Sequence, residues 1–171
     1  CFYERSLSLL TISQRFPSQC FKADRMAALI GRHINKIDKK GRVSVPKAFR
    51  DALSKPVLVE RDITALFSGI YLYRSFKHPS IEGCDEIFIQ RIIDSLDKFE
   101  LFSDEQDDLA VTLLENSFEI AYDTEGRIML PAELIDHAGL NDEALFVGRG
   151  TRFQIWQPEA YKDYNDRAFE R

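Results

Sequence analysis

Lys36, Lys39, Lys40 and Arg42 stand together in the stretch 36–42, with Asp38 the one carboxylate among them. Side chains of these types at this density are suited to holding a polyanion. Ammonium and guanidinium donors meet phosphate oxygens, and an arginine can also read a guanine edge through two hydrogen bonds. Widening the window to Arg32–Arg50 adds Arg32, Lys47 and Arg50, which makes seven cations against Asp38 and a local charge of +6. The word at its centre, DKKGR at 38–42, returns eighty-five positions later as DTEGR at 123–127. There the surroundings change sign: Ser117–Ile135 carries Glu119, Asp123, Glu125 and Glu133 against Arg127, a local charge of −3. Charge runs are more often solvated faces than binding sites, so on charge alone both readings stay open.

Catalysis finds no comparable foothold. His33, His78 and His137 are dispersed, and none lies at metal-ligand spacing from another histidine or a cysteine. There is no G-x-S-x-G elbow and no phosphate-binding glycine loop, and the spacing of the carboxylates marks no acid–base pair. No catalytic residue, metal, cofactor or small-molecule substrate is expected. Cys1, Cys20 and Cys84 lie far apart without a C-x-x-C pair. They read as reduced thiols of a cytosolic protein.

The 171 residues give room for one domain or two small ones. With 44% hydrophobic and 30% charged residues the chain can build a core, and its net charge of −5 excludes a protein basic all over. Local distribution still decides whether a polyanion binds. No apolar run approaches the ~18–20 residues of a membrane span, so a cytoplasmic location without membrane partners is expected.

The elements that must position the charged word are themselves duplicated. IDKKGRVSVPKAFRDAL aligns without a gap on YDTEGRIMLPAELIDHA, with Asp, Gly, Arg, Pro and a later Asp coincident. Val43/Ile128, Val45/Leu130 and Phe49/Leu134 fall in register. In each copy a strand (33–37, 117–122) leads into a D-x-x-G turn. Gly41 and Gly126 supply the positive φ, and Asp38 and Asp123 accept from the turn's own amides. Return strands 42–45 and 127–130 follow. Pro46 and Pro131 then open short helices over 47–53 and 132–138, the second capped by Gly139.

Further strands are predicted at 57–60, 70–73, 144–147 and 152–156. The stretch 75–83 reads as a loop. Phe88, Ile92, Leu96 and Phe99 give one amphipathic helix, and Ser103 with Gln106 caps a second that contains Leu109, Leu113 and Leu114. Phe153 and Trp156 are expected in packing. The tail after Pro158 reads as a peripheral, charge-rich helix. Residues 1–25 have no clear period, and Met26 is the first methionine, directly before the first repeat. That segment is expected to be an extension or upstream sequence.

A paired D-x-x-G-R followed by hydrophobic–x–hydrophobic–Pro resembles the SpoVT-AbrB type of DNA-binding domain. Two copies joined by a helical bridge and closing on HAGLNDEALFVGRGTRFQIW are similar to the MraZ family of bacterial transcriptional regulators, over Met26 to about Tyr164. The resemblance implies an α+β fold, mainly β with short helices, in which swapped hairpins form a pseudo-twofold barrel. It divides the chain into an extension (1–25), a first repeat (32–78), a helical bridge (79–116), a second repeat (117–160) and a tail (161–171).

The resemblance further implies a homo-oligomeric ring on double-stranded DNA at the nucleoid. Such a ring would bind tandem operator repeats of its own division and cell-wall operon and generally repress it. Arg42 carries the family's DNA-contact role, and Lys36, Lys39 and Lys40 join it on charge. Arg127 sits at the matching position and is expected among the DNA-binding residues as well, although the carboxylates around it favour a structural part. The alternative is an antitoxin-like interaction module that binds another protein through its acidic second half.

Overall fold

The first hairpin finds its partners in the other repeat. In the computed structural model, which describes residues 28–54 and 68–170, strand β1 (Arg32–Lys36) pairs antiparallel with β7 (Glu143–Gly148). Strand β2 (Arg42–Ser44) pairs with β6 (Arg127–Met129). The second hairpin returns the exchange, its β5 (Phe118–Ala121) lying against β3 (Gly69–Arg74). With β4 (Ser80–Cys84) and β8 (Phe153–Trp156) these strands form a six-stranded sheet in the order β1-β7-β8-β4-β3-β5, beside the two-stranded ribbon β2–β6. Exchanging the repeats reverses that order onto itself, with the pseudo-dyad between β8 and β4. The six-stranded sheet is open. Its two edge strands each turn into one strand of the ribbon, so the ribbon spans from edge to edge.

Helices fill what the strands leave. Pro46 and Pro131, at φ −51° and −58°, precede α1 (Lys47–Leu53) and α4 (Ala132–Ala138). Gly139, at φ 60°, ends α4 as the sequence predicts. Between the halves α2 (Glu86–Leu96) is capped by Asp85, whose side chain accepts from the Phe88 amide. Next, α3 (Asp104–Ala110) is capped by Ser103 and runs into a π-helical turn at Val111–Glu115. The Ser103–Gln106 capping pair thus located the second bridging helix but not its change of winding. No helix of the described residues is long and apolar enough to cross a membrane.

The core lies between the sheet and the two short helices. Val43, Val45 and Phe49 from one repeat meet Ile128, Leu130 and Leu134 from the other, all buried. Their aligned spacing is thus a shared core pattern. The expected strands at 70–73, 144–147 and 152–156 are observed within a residue or two, whereas the one at 57–60 lies outside the described residues.

Two expectations are corrected. The stretch 75–83, read as a loop, holds the first four residues of β4, a strand buried at every position. Glu82 and Gly83 disguised it. Glu82 is tolerated because the Gln154 Nε2 donates to its Oε1 at 2.6 Å and the Arg152 Nε to its Oε2 at 3.1 Å. The tail helix α5 (Pro158–Phe169) is less peripheral than expected, because Tyr161 is buried against Leu145, Val147 and Trp156.

Gly83 is required by its neighbour. A Cβ there would lie 2.2 Å from the Phe153 ring, which is itself buried beside Phe49 and Phe146 and has nowhere to go. Gly83→Ala is therefore expected to destabilise the fold by about 1–3 kcal/mol, seen as a lower urea midpoint with an unchanged slope.

Candidate nucleic-acid interface

Each D-x-x-G-R turn is a closed bracket built from one aspartate. The Asp38 Oδ1 accepts from the backbone amides of Lys40 (2.8 Å) and Arg42 (2.9 Å), while its Oδ2 accepts from the Arg42 Nε at 2.7 Å. In the second copy the Asp123 Oδ1 accepts from Glu125 and Arg127, both at 2.9 Å, and its Oδ2 from the Arg127 Nε at 2.7 Å. Gly41 and Gly126 take φ of 80° and 73°, the left-handed region that a side chain disfavours. The bracket fixes each arginine by its Nε and leaves the two terminal nitrogens pointing onward.

Those terminal nitrogens differ between the copies. The Arg127 Nη1 lies 3.0 Å from Glu125 Oε2 and forms a second ion pair. Position 40, the counterpart of Glu125, is a lysine, and the Arg42 terminal nitrogens have no ion-pair partner among the described residues. Lys36, Lys39 and Lys40 are exposed, and their ammonium groups likewise have no carboxylate partner there.

The ribbon brings both arginines to one surface. Val43 opposes Ile128 and faces the core. Arg42 opposes Met129 and Ser44 opposes Arg127, so these four share the outer face. Arg42 and Arg127 are diagonal neighbours, roughly 7–8 Å apart at Cα. Met129 is half exposed between them. The structure thus gathers the sequence-predicted residues Lys36, Lys39, Lys40, Arg42 and Arg127 around a single ribbon, with Asp38, Gly41, Asp123 and Gly126 shaping its two ends.

One cation that the sequence shows only as part of the charged window takes a specific place beside the second turn. Arg50, on α1 of the first repeat, donates from Nε to the Val45 carbonyl at 3.1 Å. Its guanidinium occupies the space where a Cβ on Gly126 would project, 2.2 Å away. The equivalent neighbour of Gly41 is Ile135. Beside Arg50 the Tyr122 hydroxyl is buried without a hydrogen-bond partner among the described residues; burial pushes its pKa up, against the opposing pull of the Arg50 cation. The aligned repeats do show Arg50 opposite Ile135, which was the available signal.

The duplicated, swapped-hairpin fold with its two arginine-bearing turns on one outward ribbon defines a protein of the two-copy D-x-x-G-R class. The family described as "MraZ protein, putative antitoxin-like" matches residues 113–171. Over more of the chain, it is 44% identical over 147 residues to the transcriptional regulator MraZ of Parvibaculum lavamentivorans, covering 85% of this chain and 86% of that one. It is 40% identical over 134 residues to the same-named protein of Pelagibacter ubique (78% and 81%) and 38% identical over 130 residues to that of Rickettsia bellii (76% and 81%). The chain belongs to the MraZ family of transcriptional regulators.

The brackets carry a pH dependence. Amide and guanidinium donors hold Asp123 down to about 2, with the Arg127 backbone amide the largest cause and its side chain the next; Asp38 is lowered in the same way. A depressed folded value means that the bracket's contribution is complete above about pH 3.8 and is lost as pH falls toward about 2. A carboxyl-carbon NMR titration should therefore place the Asp123 midpoint near 2. Arg127→Ala should raise it only part of the way, because the amide donors remain.

Proposed function

We propose that the chain regulates transcription by gripping double-stranded DNA with the β2–β6 ribbon and its first turn. The observation that carries this reading is the difference between the two brackets. Arg42 has terminal nitrogens unengaged by any described carboxylate and three exposed lysines around it, whereas Arg127 is held by Asp123 and Glu125. In this reading Arg42, Lys39, Lys40 and Lys36 meet phosphates and base edges. Arg127 shapes the ribbon and contributes little to the grip. Asp38 and Gly41 hold the turn at one end of the ribbon, Asp123 and Gly126 at the other.

A single hairpin with three or so phosphate contacts binds weakly and loses affinity steeply with salt. The proposal is therefore completed by a homo-oligomeric ring, in which later contacts become intramolecular and avidity rises by ~10²–10⁴ where operator spacing matches. The target is a set of tandem repeats upstream of the chain's own division and cell-wall operon. The output is repression by occluding the promoter, in the cytoplasm at the nucleoid. Residues 32–78 and 117–160 act as the paired units and 79–116 as their bridge.

Fluorescence anisotropy on upstream DNA at several salt concentrations tests the reading. Arg42→Ala should weaken binding roughly ten- to hundred-fold and flatten the salt slope by about one, while Arg127→Ala, checked for folding, should keep most of the affinity. Equal losses in two folded variants would assign both hairpins to DNA. Absence of specific binding by wild type would overturn the reading and favour a protein partner for the acidic half.

A further inference from the structure

Two features at opposite ends of the sheet remain without a function. The first is the corner between α2 and α3, where Leu101 is 71% and Phe102 89% exposed. Phe102 sits at φ 65°, a conformation that a bulky side chain adopts only when its surroundings enforce it. The enforcement is visible. The Phe102 amide donates to Gln106 Oε1 at 3.0 Å, the Gln106 amide to Ser103 Oγ at 3.2 Å, and the Gln106 Nε2 to the Leu96 carbonyl at 3.1 Å. The phenyl ring is thus held out into solvent by a pinned corner. Around it stand Glu100, Asp104, Glu105, Asp107 and Asp108, with no cation between Phe99 and Ala110.

The second is a cleft of about 350 Å³ between β1 and α5. Its floor is apolar, made by Ile34, Leu145, Pro158 and Tyr161, and its rim carries Arg32 and Lys162. Ile34 is 57% exposed, a large aliphatic on an outward strand face. The α5 carboxylates Glu159, Asp163 and Asp166 lie outside the lining. An apolar floor with a cationic rim is complementary to an aromatic corner with an acidic surround in polarity and in sign of charge.

We infer that copies of this chain join head to tail, the Leu101–Phe102 corner of one seated in the β1–α5 cleft of the next. This specifies the contact behind the oligomer proposed above and rests on that reading. One chain cannot satisfy itself. The cleft belongs to the β1 and β7 end of the sheet, whereas α2 packs on β3, four strands away from β1, or roughly 20 Å at the usual strand spacing. A contact between two different surfaces is heterologous, and repetition closes it into a ring when the rotation permits.

The experiment exploits that polarity. Native mass spectrometry of the full chain is compared for wild type, Phe102→Asp and Ile34→Asp, with circular dichroism to verify folding. Wild type is expected as a closed oligomer and each variant alone as a monomer. A one-to-one mixture of the variants should give dimers and nothing larger, because only one intact corner and one intact cleft remain per pair. Retention of the wild-type mass by either variant, or a mixture that stays monomeric, overturns this contact and leaves oligomerisation itself standing. A monomeric wild type overturns both, and the anisotropy assay reports separately on DNA.

Should a charged substitution unfold the chain, Phe102→Cys with Ile34→Cys in one chain decides the matter. Oxidation then links copies into a ladder that neither single variant forms, and its absence overturns the contact.

Discussion

The pairing of Val43 with Ile128 across the β2–β6 ribbon is the constraint on which the rest depends. Each ribbon strand is only three residues long, too short to be stable alone. Its cross-repeat hydrogen bonds continue past the ladder, from the Val45 amide to the Gly126 carbonyl and from the Leu130 amide to the Gly41 carbonyl. The turn glycine of each copy therefore receives the strand of the other. Because side chains alternate, burying Val43 and Ile128 obliges Arg42, Ser44, Arg127 and Met129 to face outward. The arginine surface is a direct consequence of filling the core.

On that symmetric frame the two copies have diverged where the frame is indifferent. The aspartate bracket needs only the carboxylate, two amides and the arginine Nε, so positions 39 and 40 are free to be lysine while 124 and 125 are threonine and glutamate. The result is one turn rich in unspent positive charge and one that neutralises itself. The bracket also sets the orientation of each arginine through its Nε. Divergence changes chemical character below the turns as well, where Arg50 of the first repeat fills the space beside Gly126 that Ile135 leaves apolar beside Gly41.

What could be read from the sequence follows from how local each signal is. The turns, ribbon strands and short helices have their determinants within a few residues, such as Asp38 with Arg42 or Ser103 with Gln106, and these were legible. The swapped hairpins came from a resemblance. Strand β4 was missed because its buried glutamate is made acceptable by Gln154 and Arg152, some seventy positions away. Its glycine is explained only by the Phe153 ring. The burial of α5 depended likewise on a partner surface, the strands carrying Leu145 and Trp156, that no local window contains. The charge contrast between the turns was legible as composition. That it frees the terminal nitrogens of one arginine and not the other needed coordinates.

The exchange of hairpins has a consequence for how the chain comes into being. Arg32 pairs with Val147 and Val43 with Ile128, so a nascent chain that has emitted its whole first repeat still lacks both partners for its first hairpin. Domains generally fold as units in the order they leave the ribosome, but here the sheet is complete only when translation has passed β8, which joins β7 to β4. Until β7 has been made, the first hairpin, with its cluster of cations, lacks one or both of the strands that pair with it in the fold.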